Sequence, residues 1–268
     1  MQTHDSGGAP AFEVSLPSSS HPDLNPELTI VIPAKNEVTM LPRLLASLAR
    51  QDFADIARTR VLVADAGSTD GTIESALSFR DRLLVEVIPG GLPSVGRNAG
   101  AKQARTKYVL FLDADVELAD TTLIRRAMGA MRRRNLHLAT VSIGCRQGGF
   151  FDDLLYAGSN VMQYIGSRWK PFATGMFMLF ERDAFWHLGG FNERALFAED
   201  YLLSKGVARN RFRIVRGRVL TTNRRFRKLG HGRMTWMFLK TMFHTWDEEY
   251  FLEDQGYWEK SEGAGTSV

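Results

Sequence analysis

Cysteine is nearly absent: Cys145 stands alone in 268 residues. A disulfide framework and a cysteine-built zinc site are both excluded. A membrane-spanning segment is lacking too. The longest uncharged stretch, Leu154 to Ser167, contains Ser, Asn and Gln and falls short of the ~20 apolar residues a span requires. No basic segment followed by an apolar one opens the chain, so the expected location is cytoplasmic. Acidic residues are missing from Tyr201 to Trp246, where Lys and Arg number twelve. The formal net charge of the whole chain is only +4, so the remainder is net acidic. Such segregation points the C-terminal part toward something anionic: a phosphate, an acidic lipid surface or nucleic acid. The plainer alternative is a solvated basic face. No recognised nucleic-acid motif accompanies the stretch, which disfavours that partner.

What is present describes a globular domain, with 44% hydrophobic and 24% charged residues. Residues 1–26 are rich in Ser, Pro, Gly and His and read as a disordered leader. Residues 261–268 read as a flexible tail. The folded part is expected over 27–230, with a helical appendage over 231–260. Within it, short apolar runs alternate with amphipathic helices. LTIVI (28–32) is a strand that stops at Pro33. Leu41, Leu44, Leu45 and Leu48 then recur at i, i+3, i+4 and i+7, the stripe of a helix. RVLVA (60–64), LVEVI (84–88), YVLFL (108–112) and LHLATVSI (136–143) read as further strands. Helices are expected from Thr72, over 93–105, and over 120–134. This alternation predicts an α/β fold with a mostly parallel sheet covered by helices on both faces. In the less regular second half, 152–165 reads as helical and FATGMFMLF (172–180) as a buried strand or strand pair. Helices are expected over 181–188, 199–208 and 231–246.

In a parallel α/β sheet, ligands bind beyond the carboxyl ends of the strands. Three early strands end in polar groups: PAKNE (33–37), DAGSTD (65–70) and Asp113-Ala114-Asp115. If the strands are parallel, these groups converge. In an extended segment Asp113 and Asp115 point the same way, and two carboxylates suit Mn²⁺ or Mg²⁺ that also holds substrate phosphates. The bland alternative is a turn with helix-capping aspartates. Asp65 can accept a hydrogen bond from a nucleobase imide, whereas Asp70 reads as structural. Arg97, near a helix start and between Gly96 and Gly100, can meet a diphosphate or be an ordinary surface cation. Glu199 and Asp200 open another helix, where acidic residues are common for electrostatic reasons alone.

Taken in order, IVIPAKNE (30–37), VADAGSTDGT (63–72), GRNAGAKQA (96–104), YVLFLDADVEL (108–118), TGMFMLFERDAFWHLGGFNE (174–193) and FAEDYLLSKG (197–206) resemble glycosyltransferase family 2. The resemblance runs from about Leu28 to Arg213. It implies a GT-A fold, with a nucleotide-binding α/β half and a mixed C-terminal acceptor-binding half. It implies transfer of a sugar from a nucleotide-diphosphate donor to a hydroxyl acceptor, with a divalent metal and inversion at the anomeric carbon. By motif position, Pro33, Asn36 and Glu37 would line the nucleoside pocket and Asp65 would read the base. Arg97 would meet the diphosphate, and Ala114 would sit within the donor-binding motif. Asp113 would lie near ribose and metal, and Asp115 would ligate the metal. Asp200 would be the catalytic base, with Glu199 beside it. UDP is the first expectation for the nucleotide and GDP the second, on family precedent. Some GT-A enzymes also use a C-terminal histidine as a metal ligand, which makes His231 a candidate.

Ala66 stands where many relatives carry a second acid. TNRRF (222–226) lacks the Gln and Trp of the Gln-x-x-Arg-Trp block of processive synthases, so polymer extrusion is disfavoured. The stretch 233–246 places Trp236, Leu239, Lys240 and Phe243 at helical spacing. It fits packing on the domain, on a second subunit in a homo-oligomer, or on an anionic membrane, and leaves a lipid-linked acceptor open. Two rivals stand beside the glycosyltransferase. One is a nucleotide-sugar-binding protein without turnover. The other is a nucleotidyltransferase, disfavoured because PAKNE occupies the place of its glycine-rich phosphate loop.

Overall fold

The computed structural model describes residues 27–146 and 148–224, with Gly230 and Gly232. The leader, His231 and the rest of the appendage, and the tail lie outside the described residues.

Four strands form a parallel half. β1 (Leu28–Ala34) runs between β2 (Arg60–Asp65) and β4 (Tyr108–Phe111), and β3 (Leu84–Pro89) flanks β2. The register sets Ala34 beside Asp65 and Val31 beside Phe111. The tips of β1, β2 and β4 therefore open on one edge. Alternate residues of β1 enter two cores: Leu28, Ile30 and Ile32 face one side and Val31 the other. Both faces are covered, as the apolar runs require. On one face lie α1 (Leu41–Ala49), with its four leucines fully buried, and α4 (Leu123–Arg134), which keeps its arginines outward. On the other lies α3 (Pro93–Gln103). A Cβ at Gly100 would overlap Val31, so glycine is what lets α3 approach the sheet.

The second half is mixed. β7 (Met178–Glu181) runs antiparallel to β4, with Met178 opposite Phe111. Because it is antiparallel, β7 begins where β4 ends, and the loop before it arrives at the polar edge. β6 (Leu138–Cys145) pairs β7 antiparallel and β8 (Phe212–Thr221) parallel; the short β5 (Glu117–Leu118) closes on β8. The helices here are α5 (Phe150–Gly166), α6 (Arg182–His187) and α7 (Glu199–Ser204), and α2 (Thr72–Leu77) sits in the first half.

Several boundaries differ from the sequence reading. β1 runs through Pro33 to Ala34. The amide of Leu112 donates to the Val31 carbonyl, so the backbone groups of residue 33 also point to the β4 side, where β4 has ended. Proline's missing N–H costs nothing there. The expected strand over 172–180 shrinks to Met178–Glu181. Residues 173 and 175 instead donate their amides to Ser204 and Asp200. α7 stops at Ser204, short of the expected 208. β8 was not anticipated, because its run FRIVRGRVLT reads as a charge-rich segment.

Candidate active site

The first two strand tips are stitched together. Asn36, at a left-handed φ of 53°, is held by the second tip: its amide donates to Ser68 Oγ (2.9 Å), and its Oδ1 accepts from the Thr69 amide (3.0 Å). The amides of Glu37 and Val38 donate to Thr72 Oγ1 and Asp70 Oδ2. Asp70 is the structural residue expected, and the Thr72 hydroxyl holds its carboxyl below the ordinary range. Asp65 is buried and accepts from the amides of Gly67 and Ser68 at 2.9 Å and from Ser68 Oγ at 2.5 Å. Its carboxylate therefore shapes its own turn. Pro33 is half-buried, and its ring faces Gly96 of α3. Ala114 packs its methyl in the core, which leaves only its backbone for a ligand.

The centre of the site is Arg97, only 3% exposed. Its Nη2 donates to Asp113 Oδ1 at 2.6 Å and its Nη1 to Glu199 Oε1 at 2.5 Å. Its guanidinium stands 5.2 Å from the centre of the Phe191 ring. Burial alone would depress its pKa, but Asp113, Glu199 and Asp200 override this and raise it. Arg97 is thus an internal clamp between β4 and α7, whereas the sequence reading faced it toward a diphosphate.

Asp200 lies beside the clamp. Its Oδ2 accepts from the Gly175 amide and its Oδ1 from the Tyr201 amide, both at 2.7 Å. Its pKa is pushed up to about 7, first by burial and then by the neighbouring Glu199; Arg97 and the two amides offset part of the rise. A carboxylate tuned to neutral pH is suited to proton abstraction there. Cys145 offers no rival nucleophile, because burial and then Asp152 and Asp153 push its thiol up to about 11.

Asp113 and Asp115 do not lie on an extended strand. β4 ends at Phe111, and the Val116 amide donates to the Asp113 carbonyl at 3.4 Å, which makes 113–116 a turn. Asp115 is buried. Arg224 reaches it at 3.8 Å from Oδ2 and also pairs with Glu37 at 2.5 Å. A cation therefore already stands against Asp115. Among the described residues no group of three His, Cys, Asp or Glu side chains could hold a metal. Two carboxylates fit a divalent ion whose coordination is completed by phosphate oxygens and water, and do not fit an all-protein cage; Arg224, as a like charge, opposes that ion.

Three residues of this site escaped the sequence reading. Gly175 lies so close to Arg97 that a Cβ would overlap the guanidinium; a lone glycine inside an apolar run is a known mark of close approach. Asn98 binds the Phe191 backbone through both side-chain atoms and donates to Glu193 Oε1 at 2.8 Å. It thereby anchors the GGFNE loop, whose Gly189 and Gly190 take φ of 90° and 73°. Arg224 was visible only as part of TNRRF.

The family model for Glycosyl transferase family 2 matches residues 29–189. The chain belongs to glycosyltransferase family 2. The family 2 chain is 35% identical over 127 residues to validoxylamine A glucosyltransferase of Streptomyces hygroscopicus, a match covering 46% of this chain and 29% of the relative. It is 34% identical over 101 residues to the poly(ribitol-phosphate) β-N-acetylglucosaminyltransferase TarS of Staphylococcus aureus, covering 36% and 18%. The matched region is thus less than a third of either relative. The structure of TarS residues 1–349 superposes with a TM-score of 0.56 at 21% identity, over 74% of this chain and 60% of that one. TarS has also been solved with UDP-GlcNAc. The mannosyltransferase PcManGT of Pyrobaculum calidifontis, solved with GDP-Man and Mn²⁺, superposes with a TM-score of 0.56 at 18% identity, over 80% and 62%. The family 2 fold is of the GT-A type.

Proposed function

We propose that the protein transfers a sugar from a nucleotide-diphosphate donor, UDP-linked in preference to GDP-linked, to a hydroxyl acceptor with inversion and without processive extrusion. The observation that carries the reading is the Arg97 clamp. It ties the turn holding Asp113 and Asp115 to the helix holding Glu199 and Asp200, so one set of carboxylates serves the leaving group and another serves the acceptor. UDP is favoured by the UDP-GlcNAc complex of TarS, and the GDP-Man complex of PcManGT keeps GDP second.

In a single displacement, Asp200 takes the proton of the acceptor hydroxyl as its oxygen attacks the anomeric carbon, and the bond to the diphosphate breaks on the opposite face. Glu199 keeps Asp200 proton-avid by like-charge repulsion. Arg97 positions both halves and is itself withdrawn from solvent. Asp115, assisted by Asp113, would hold Mn²⁺ or Mg²⁺; bound there, the ion would neutralise charge developing on the departing diphosphate. Arg224, 3.8 Å from Asp115, adds positive charge on the same side.

The test is incubation with UDP- and GDP-sugars in Mn²⁺, followed by proton NMR of the released or transferred sugar. Inverted anomeric product from a UDP donor is expected. Retained configuration would overturn the direct displacement. Binding without any turnover would favour the rival reading of a nucleotide-sugar-binding protein.

A further inference from the structure

α5 is amphipathic in the reverse sense. Its inward side is polar: Asp152 Oδ2 accepts from the Gly149 amide, and Asn160 exchanges two hydrogen bonds with the Ile143 backbone at 2.8 and 2.7 Å. Its outward side is apolar. Phe150, Phe151, Leu154, Val161 and Ile165, with Trp169 just beyond the helix, are 47–77% exposed. Among the described residues, Leu92 is the one large exposed apolar side chain that lies elsewhere. Isolated exposed leucines need no explanation, but a helix that points its whole apolar face away from the fold does.

Positive charge borders this face. Arg168 lies over the Tyr164 ring at 5.5 Å, and Lys170 follows it. Arg209 donates to the Arg168 carbonyl at 2.8 Å. Ser167, Arg168, Arg209 and Asn210 line an open surface cleft of about 460 Å³. From Leu154 to Phe180 the chain has no acidic residue. We propose that the outward face of α5, with Trp169, seats on an anionic lipid surface, and that Arg168 and Arg209 meet headgroup phosphates in the adjoining cleft.

Charge selects this occupant over the others. A second copy packed across a twofold axis would bring these cations against their own images. Of the chain's own segments, 233–246 carries Arg233 and Lys240 and no acid, so it would add cations, whereas 247–254 carries five acids and is the rival occupant, which would show as no vesicle binding by wild type. The face also adjoins the acceptor side of the site. Three residues after Trp169, Phe172 stacks edge-on with Tyr201 at 5.8 Å, and Gly175 then bonds Asp200. Docking would therefore present lipid-borne hydroxyls to Asp200; this last clause rests on the glycosyltransferase reading, whereas the docking does not.

The test is co-sedimentation of the full chain, without donor, with phosphatidylcholine vesicles that contain or lack phosphatidylglycerol. Wild type is expected to sediment with the anionic vesicles only. The variants Phe151→Ser/Ile165→Ser and Arg168→Glu/Arg209→Glu change exposed side chains, so unaltered thermal melts are expected. Each should lose roughly tenfold or more in vesicle partitioning while donor hydrolysis stays at the wild-type level. Three results would overturn the proposal: no binding by wild type, wild-type binding by both variants, or a dimer without lipid affinity that the Phe151/Ile165 variant dissociates. Vesicle binding with no donor turnover would leave docking standing and sink the enzymatic reading instead.

Discussion

Asp113 and Glu199 hold the same guanidinium. One follows the last strand of the parallel half, the other opens α7, and each takes a different terminal nitrogen of Arg97. The cation and its two carboxylate partners depend on one another, because without Arg97 both acids would be charges withdrawn from water without a counterion. The clamp therefore makes the two halves of the site interdependent.

Arg97→Met should accordingly lower stability by about 3–5 kcal/mol and abolish turnover, read by chemical denaturation and donor hydrolysis. Gly175→Ala tests the same junction from the other side. Its added methyl would displace the guanidinium and should cost at least tenfold in kcat. Gly158→Ala is the control. Nothing lies within 4 Å of its would-be Cβ, so a gain of about 0.5–1 kcal/mol from helix propensity is expected with activity unchanged.

Asp200→Asn keeps an acceptor for the Gly175 amide but removes the base. Turnover should fall roughly 10²–10⁴-fold while the donor Kd, measured by calorimetry, is preserved. Near-normal turnover would take Asp200 out of the base role.

The pH profile follows from the raised carboxyl. A base must be ionised to act, so kcat/KM should climb through about pH 7 as Asp200 loses its proton. Glu199→Gln removes the repelling charge and leaves more of Arg97 to Asp200, and both effects lower its pKa. The rising limb should move to lower pH. Stability moves the other way. Between the ordinary carboxylate value and about 7, the folded protein keeps a proton that the unfolded chain has released, so this contribution declines as pH rises across that window.

Chelation with EDTA should suppress activity, and Mn²⁺ or Mg²⁺ should restore it; full activity after exhaustive chelation would refute the metal assignment. Arg224→Gln removes a cation standing 3.8 Å from Asp115. The Mn²⁺ concentration giving half-maximal activity should then fall several-fold, since like charges at this range oppose each other, whereas donor KM should rise.

Much of the N-terminal half was legible in the sequence because strands announce themselves by continuous apolar runs and their polar ends must share an edge. The four leucines of α1 are all buried as their spacing requires. The C-terminal half was harder. Nothing local in TGMFMLF says that Gly175 faces Arg97, since that contact spans distant parts of the chain. Nor does the spacing around Arg97 reveal whether it turns to solvent or inward; Asp113 and Glu199 decide that only once the sheet has formed. β8 was hidden because its alternation is made of arginines, which reads as surface charge although Val219 is fully buried.

The reversal of β7 has an evolutionary corollary. By delivering Gly175 beside the turn after β4, it makes the C-terminal half depend on Arg97, a residue set in the N-terminal half. Grafting a foreign C-terminal half onto this N-terminal one should yield inactive chimeras unless the graft supplies both an acid for Arg97 and a side-chain-free position opposite it. New specificities should therefore arise more readily in the loops outside this junction than by exchange of whole halves.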